Sequence, residues 1–232
     1  MPKDGQEVEL RIADPQAAIR YLGEMQSRTM DPVHEPIQNL LDENAKRIDV
    51  EIDRRKHELR IRGDARPLTR VAEARRILES ICASRKVDKL GEKGVGLLSF
   101  VNVGSAMTML SQKSGKVVWL RLRKEDLRTG EVGSEKGNRL PYAGTEVRIT
   151  GISPRNLKYR FADDRVIRDV KRRWGAFLGK GVKVSVNGKD VASFAPPLQG
   201  ERFERTIPVR EMGRKAAIEV SLVMRGALPR MS

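Results

Sequence analysis

The sequence predicts an α+β fold: a mixed, mostly antiparallel sheet with helices on one face, arranged as a two-layer α/β sandwich. Three observations lead there. Period-two stretches recur along the chain, and short turns join some of them into hairpins, which excludes an all-parallel sheet. Helically spaced apolar positions lie between them, near 31–45, 69–83 and 162–178. The 232 residues are 39% hydrophobic but only 4% aromatic, so the two layers must meet in a largely aliphatic core.

The elements follow in order. Residues 7–12 alternate and read as a strand. Asp14-Pro15 supplies a helix cap and first position for a short helix over 16–26. Asp31-Pro32 repeats that signal and opens a second helix reaching about Ala45. Pro36 falls near its first turn, where it removes at most one ladder bond. Residues 47–53 and 57–62 alternate cleanly, and the charged stretch Arg54 to His57 turns them into a hairpin. Val71, Ala74, Leu78 and Ile81 mark a helix over 69–83. A basic link and a glycine run follow, and residues 97–103 suit a buried helix. Strands are expected at 116–122 and 144–150, with a long polar loop or loose hairpin over 123–143. Residues 162–178 form a basic amphipathic helix. Residues 182–191 form a hairpin about Asn187-Gly188, a type I′ turn signal. Beyond Pro196-Pro197, residues 202–209 and 217–224 read as strands. The expected organisation is one domain over 1–195 and a C-terminal β extension over 196–232, where a following domain would begin.

Composition narrows the function classes. One cysteine, Cys82, excludes a disulfide framework and a cysteine-rich zinc site, and His34 and His57 cannot replace one. No apolar run approaches the ~20 residues that span a bilayer, and the N-terminus lacks a secretory apolar segment. A cytoplasmic protein without membrane contact is expected. The net charge of +15 fits either an arginine-rich soluble surface or a polyanion partner, nucleic acid above all. At ~100° per residue, Arg165, Arg168 and Arg172 share one arc of the basic helix, with Lys171 and Arg173 to either side. Sparse aromatics argue against a dedicated single-strand binder.

The glycine run Gly91-x-x-Gly94-x-Gly96 has three glycines in six residues. It lacks the lysine and hydroxyl that close a Walker loop, its spacing reverses the dinucleotide fingerprint, and no kinase motifs accompany it. Alone, it fits a phosphate loop and a structural turn equally. Upstream, Glu35 and Asn39 lie one helical turn apart, with Asp42 on the same face and Ile37, Leu40 and Leu41 turned away. The face is either solvated or chemical. A carboxamide oxygen suits Mg²⁺, and a carboxylate can deprotonate a water aimed at phosphate. Gly144-Thr145 opens a late strand.

Taken together and in this order, the helix with Glu-x-x-x-Asn, the hairpin, the G-x-x-G-x-G run and the Gly-Thr strand resemble the GHKL ATPase superfamily. That group holds the ATP-hydrolysing component of DNA gyrase, the ninety-kilodalton heat-shock chaperones, histidine kinases and MutL, with MORC proteins as relatives. The resemblance covers about 28–150, and is looser over the helix and hairpin beyond, which are similar to the MORC and chaperone branches. It implies a Bergerat fold holding ATP and Mg²⁺ between the helix face and a lid. Glu35 would be the general base and Asn39 the Mg²⁺ ligand. Gly91, Gly94 and Gly96, with Val95 among them, would offer backbone N–H groups to the phosphates, and Lys93 a charge. Ser84-Arg85-Lys86 matches a lid segment in which Lys86 would meet the nucleotide. Thr145 would hydrogen-bond near the adenine.

The family's D-x-G-x-G departs here to Gly63-Asp64-Ala65-Arg66-Pro67. Either Asp64 serves the adenine after a local shift, or that contact is lost. The resemblance further implies slow hydrolysis, with lid closure switching a partner or a homodimer. A catalytic lysine from a following domain is absent here or comes from a partner. The alternative is a basic nucleic-acid-binding or scaffold module with a degenerate pocket. A histidine kinase is disfavoured, because no phospho-acceptor helix precedes the domain.

Overall fold

Strict alternation in the first hairpin sets the main sheet. The computed structural model describes residues 5–9, 30–79, 96–192, 202–211 and 214–223. The chain divides into two compact units, Met1–Ser193 and Phe194–Ser232. The first unit begins with β1 (Gly5–Glu9), α1 (Asp31–Asp42), β2 (Arg47–Asp53), β3 (Glu58–Gly63) and α2 (Val71–Glu79). A 3-10 helix (Gly96–Asn102), β4 (Ala106–Lys113), β5 (Lys116–Arg123), β6 (Asp126–Lys136) and β7 (Gly144–Thr150) follow. A π-helical turn (Asn156–Arg160), α3 (Asp163–Gly179), β8 (Lys183–Val186) and β9 (Lys189–Asp190) complete it. In the second unit, β10 (Arg202–Glu211) pairs antiparallel with β11 (Arg214–Val223).

Nine strands form one sheet in the order β1-β6-β5-β4-β7-β3-β2-β8-β9. Only β2 and β8 run parallel; the other neighbours are antiparallel. The fold is therefore α+β with a large mixed sheet. Register aligns the buried and partly buried side chains in rows, as a side-chain period of two requires. One row is Val186, Val50, Ile61, Val147, Met109, Leu120 and Val132. Asn187 and Gly188 both have positive φ, 47° and 77°, as the type I′ turn between β8 and β9 needs. The Asn187 side chain also accepts the Ile52 N–H at 2.7 Å.

One expectation is corrected: residues 126–136 are one full strand between β5 and β1 rather than part of a long loop or of a loose hairpin over 123–143. Gly130 and Gly133 interrupt its apolar pattern, and at Gly130 neighbours occupy the side-chain space. Leu78 of α2 lies 2.8 Å from where a Gly130 Cβ would be, and Gly133 stands opposite Trp119. The buried helix expected over 97–103 is present as a short 3-10 helix, after which the chain turns into β4. The expected helix at 16–26 lies outside the described residues.

Helix α1 buries Val33, Ile37 and Leu40, spaced to face the sheet. A buried polar link joins it to α3. The Trp174 Nε1–H donates to His34 Nδ1 at 3.0 Å, so that nitrogen carries no proton. The Nε2–H therefore donates to Asp169 Oδ2, at 2.7 Å. A second proton would displace the indole. Burial holds this imidazole below its ordinary 6.5; Arg173 and Arg172 push the same way, against Asp169.

The unfolded chain thus takes up the His34 proton at higher pH than the folded one. Stability from this link is complete above the unfolded value and is lost as pH falls through the folded one. We expect urea-unfolding stability to decline from about pH 7 to about pH 5. In His34→Gln the profile should be flat over that window; a flat wild-type profile would refute the link.

Candidate functional site

Helix periodicity sets Glu35 and Asn39 on one side of α1, one turn apart, while Val33, Ile37 and Leu40 anchor the helix. Both polar residues are half-buried. They border the start of the 3-10 helix, and the closest approach is at Gly96. A Cβ on Gly96 would collide with Glu35 Oε2 and would stand 3.2 Å from Glu35 Cδ and 3.3 Å from its Cβ. Backbone and carboxylate meet there because no side chain intervenes. Pro36, Asn39, Gly96, Ser99, Phe100 and Met107, with Val147 and Ile149 of β7, line a cavity of about 10 Å³. That is room for about one water.

Asp64 and Thr145 lie outside that lining. Asp64 Oδ1 accepts the Lys46 and Arg47 N–H groups at 2.7 and 2.9 Å, fastening the segment after β3 to the loop before β2. The Thr145 hydroxyl shares a 2.8 Å hydrogen bond with Ser111 Oγ, which accepts the Leu68 N–H at 2.7 Å. Between these networks lies Gly63. A Cβ there would sit 3.1 Å from Leu40 Cδ1 and 3.1 Å from the Arg47 carbonyl oxygen. Gly144 packs over the Gly63 carbonyl, where a Cβ would clash. The structure thus brings together Glu35, Asn39 and Gly96, and puts Asp64 and Thr145 in a neighbouring buttress. Asp42 is half-buried in the last turn of α1. Lys86, Gly91, Lys93, Gly94 and Val95 lie outside the described residues.

A much larger cleft, about 890 Å³, opens beside Asp49, Glu51 and Ser185 of β2 and β8. Some of its charged groups are bonded: Arg47 pairs with Asp49 at 3.1 Å. Asp49 accepts hydrogen bonds from Ser185 at 2.8 Å and Tyr142 at 3.0 Å. Burial would raise the Asp49 carboxyl, but these bonds and Arg47 together hold it low. Burial and the same carboxylate push the Tyr142 hydroxyl up. Arg62, also on this cleft, donates to Glu146 at 2.8 Å. None of the Glu35–Gly96 arrangement reaches it, so size alone does not select it.

Sequence reasoning missed Ser99, Phe100 and Met107 as cavity walls; the apolar run after Gly96 was their only trace. It also missed the His34 link, whose partners lie 135 and 140 residues away. No family model matches the sequence, and no curated protein matches it.

The Gly96 contact makes a stability prediction. Gly96→Ala should be destabilising by chemical denaturation, and Glu35→Ala should relieve much of that loss. We expect a coupling of about 0.5–3 kcal/mol between the two changes. Simple additivity would mean that Glu35 does not lie against this backbone.

Proposed function

We propose that the chain is a GHKL-type, Bergerat-fold ATPase domain, binding ATP and Mg²⁺ between α1 and the glycine run. The observation that supports this is the Glu35 carboxylate held against Gly96, with Asn39 one turn along. In this reading Glu35 takes a proton from a water as its oxygen bonds the γ-phosphorus and the bond to ADP breaks. Asn39 Oδ1 ligates Mg²⁺. Among the described residues no group of three or more His, Cys, Asp or Glu could hold a metal, so phosphate and water oxygens would complete the sphere. Magnesium supplies neutralisation of phosphate charge. Backbone N–H groups of Gly91, Gly94, Val95 and Gly96 cradle the phosphates, with Lys93 and Lys86 adding charge. Hydrolysis is slow, and closure over the nucleotide switches a partner or a second copy.

The base end differs from the phosphate end. Thr145 would approach the base through its network. Leu40 occupies the space beside Gly63, and the Asp64 carboxylate already accepts two backbone N–H groups. With no carboxylate committed to the base, GTP should bind within about tenfold of ATP.

A second reading, a scaffold whose nucleotide pocket has closed, is favoured by the same Leu40 packing and by the 10 Å³ cavity. Thermal unfolding with Mg-ATP separates the two. A ligand at 100 times its dissociation constant adds ~2.7 kcal/mol, and Asn39→Ala should remove most of that. Glu35→Ala should keep the shift while turnover falls ~10²–10⁴-fold. Unchanged turnover would pass the base role to Asp42. No shift at millimolar nucleotide would establish the scaffold reading.

A further inference from the structure

Aromatic rings are scarce here, and most of those described serve the interior. Phe100, Phe161, Trp119 and Trp174 are buried, and Tyr142 is bonded to Asp49. Tyr159 is different. At 60% exposure it is the one large hydrophobic residue standing exposed among the described residues. Its support is anchored in the core. Leu157 and Phe161 are buried on either side of it. The Leu157 N–H donates to the Ser153 carbonyl at 3.1 Å, and the Phe161 N–H to the Asn156 carbonyl at 2.9 Å.

Cations lie at this residue. Lys158 Nζ lies 5.2 Å from the ring centroid, and the residue remains 60% exposed. Arg165 Nη1 donates to the Tyr159 carbonyl at 3.2 Å, which joins the π-helical turn to α3. From there Arg168 and Arg172 continue along the exposed side of α3, opposite Val166, Val170 and Trp174. Arg165 to Arg172 spans ~10 Å of helix. The acids nearby are mostly engaged: Asp163 by Arg54, and Asp169 by Arg172 and His34. Asp164 is exposed at the helix start. Arg155, Lys158, Arg165 and Arg168 enter no ion pair among the described residues.

We infer that this stripe binds single-stranded nucleic acid, with Tyr159 stacking on a base and the four cations meeting the flanking phosphates. A duplex hides its base faces in its own stack, so only an unpaired strand offers both a ring face and a phosphate row. One platform, rather than several, makes charge the main source of affinity and the ring the source of strand preference. The surface lies on α3 and the preceding turn, and does not depend on the α1 site.

The test is fluorescence anisotropy of the full chain with labelled oligothymidylate, oligouridylate and a duplex of equal length, across a salt series. Binding to either single strand over the duplex is expected. Tyr159→Ala should weaken it roughly 5- to 150-fold, while Tyr159→Phe should not. Four cations on a single strand set a slope of about −3 in log affinity against log salt. Arg165→Glu with Arg168→Glu should lower its magnitude by about half. Duplex binding as tight as single-strand binding, or an unchanged affinity in Tyr159→Ala with its melting temperature preserved, would overturn the inference.

Discussion

The height of α1 above the sheet governs the described site, and two glycines set it. At Gly63 the sheet offers no side chain, and Leu40 settles into that space. At Gly96 the 3-10 helix offers none either, and Glu35 comes against the backbone. Burial of Val33, Ile37 and Leu40 supplies the attraction, roughly 1.5–3 kcal/mol for each. The glycines decide how close that attraction can bring the helix. Gly144, packed over the Gly63 carbonyl, transmits the same geometry into β7. A larger residue at either seat would lift the helix and move Glu35 and Asn39 together.

The same closeness shapes the two glycine seats differently. At Gly96 it brings the Glu35 carboxylate against the backbone, next to a small space that Asn39 and Gly96 line. Near Gly63 it fills the space with leucine, and Asp64 and Thr145 serve as fasteners for neighbouring segments. Phosphate chemistry and base recognition would thus be decoupled in this chain. On the other side of the sheet, Glu146, only 1% exposed, receives both Arg62 and Arg148 at 2.8 Å, so much of that face's positive charge is matched internally. The exposed arginines of α3 contrast with it.

What was legible in the sequence was whatever repeats locally. The alternation of β2 and β3, the Asp-Pro start of α1, the Asn187-Gly188 turn and the amphipathic α3 each depend on neighbours within a few residues. Glu35 and Asn39 were legible as one face for the same reason. What was not legible depends on distant partners. Strand β6 hides behind Gly130 and Gly133, and the missing side chain of Gly130 makes sense only beside Leu78. His34 reads as an ordinary helix-start residue until α3 supplies Trp174 and Asp169. Asp64 is one place from the aspartate of the motif this stretch resembles, yet its carboxylate is held by the loop before β2. No local pattern encodes that.

The central claim is that the backbone at the start of the 3-10 helix, beside Glu35, meets a nucleotide's phosphates. Amide hydrogen exchange at Gly96, Leu97 and Leu98, with and without millimolar Mg-ATP, tests this most directly. The account predicts slower exchange at these amides on adding nucleotide, with the outer strands unchanged. Exchange that is identical with and without nucleotide across residues 96–102 would contradict it.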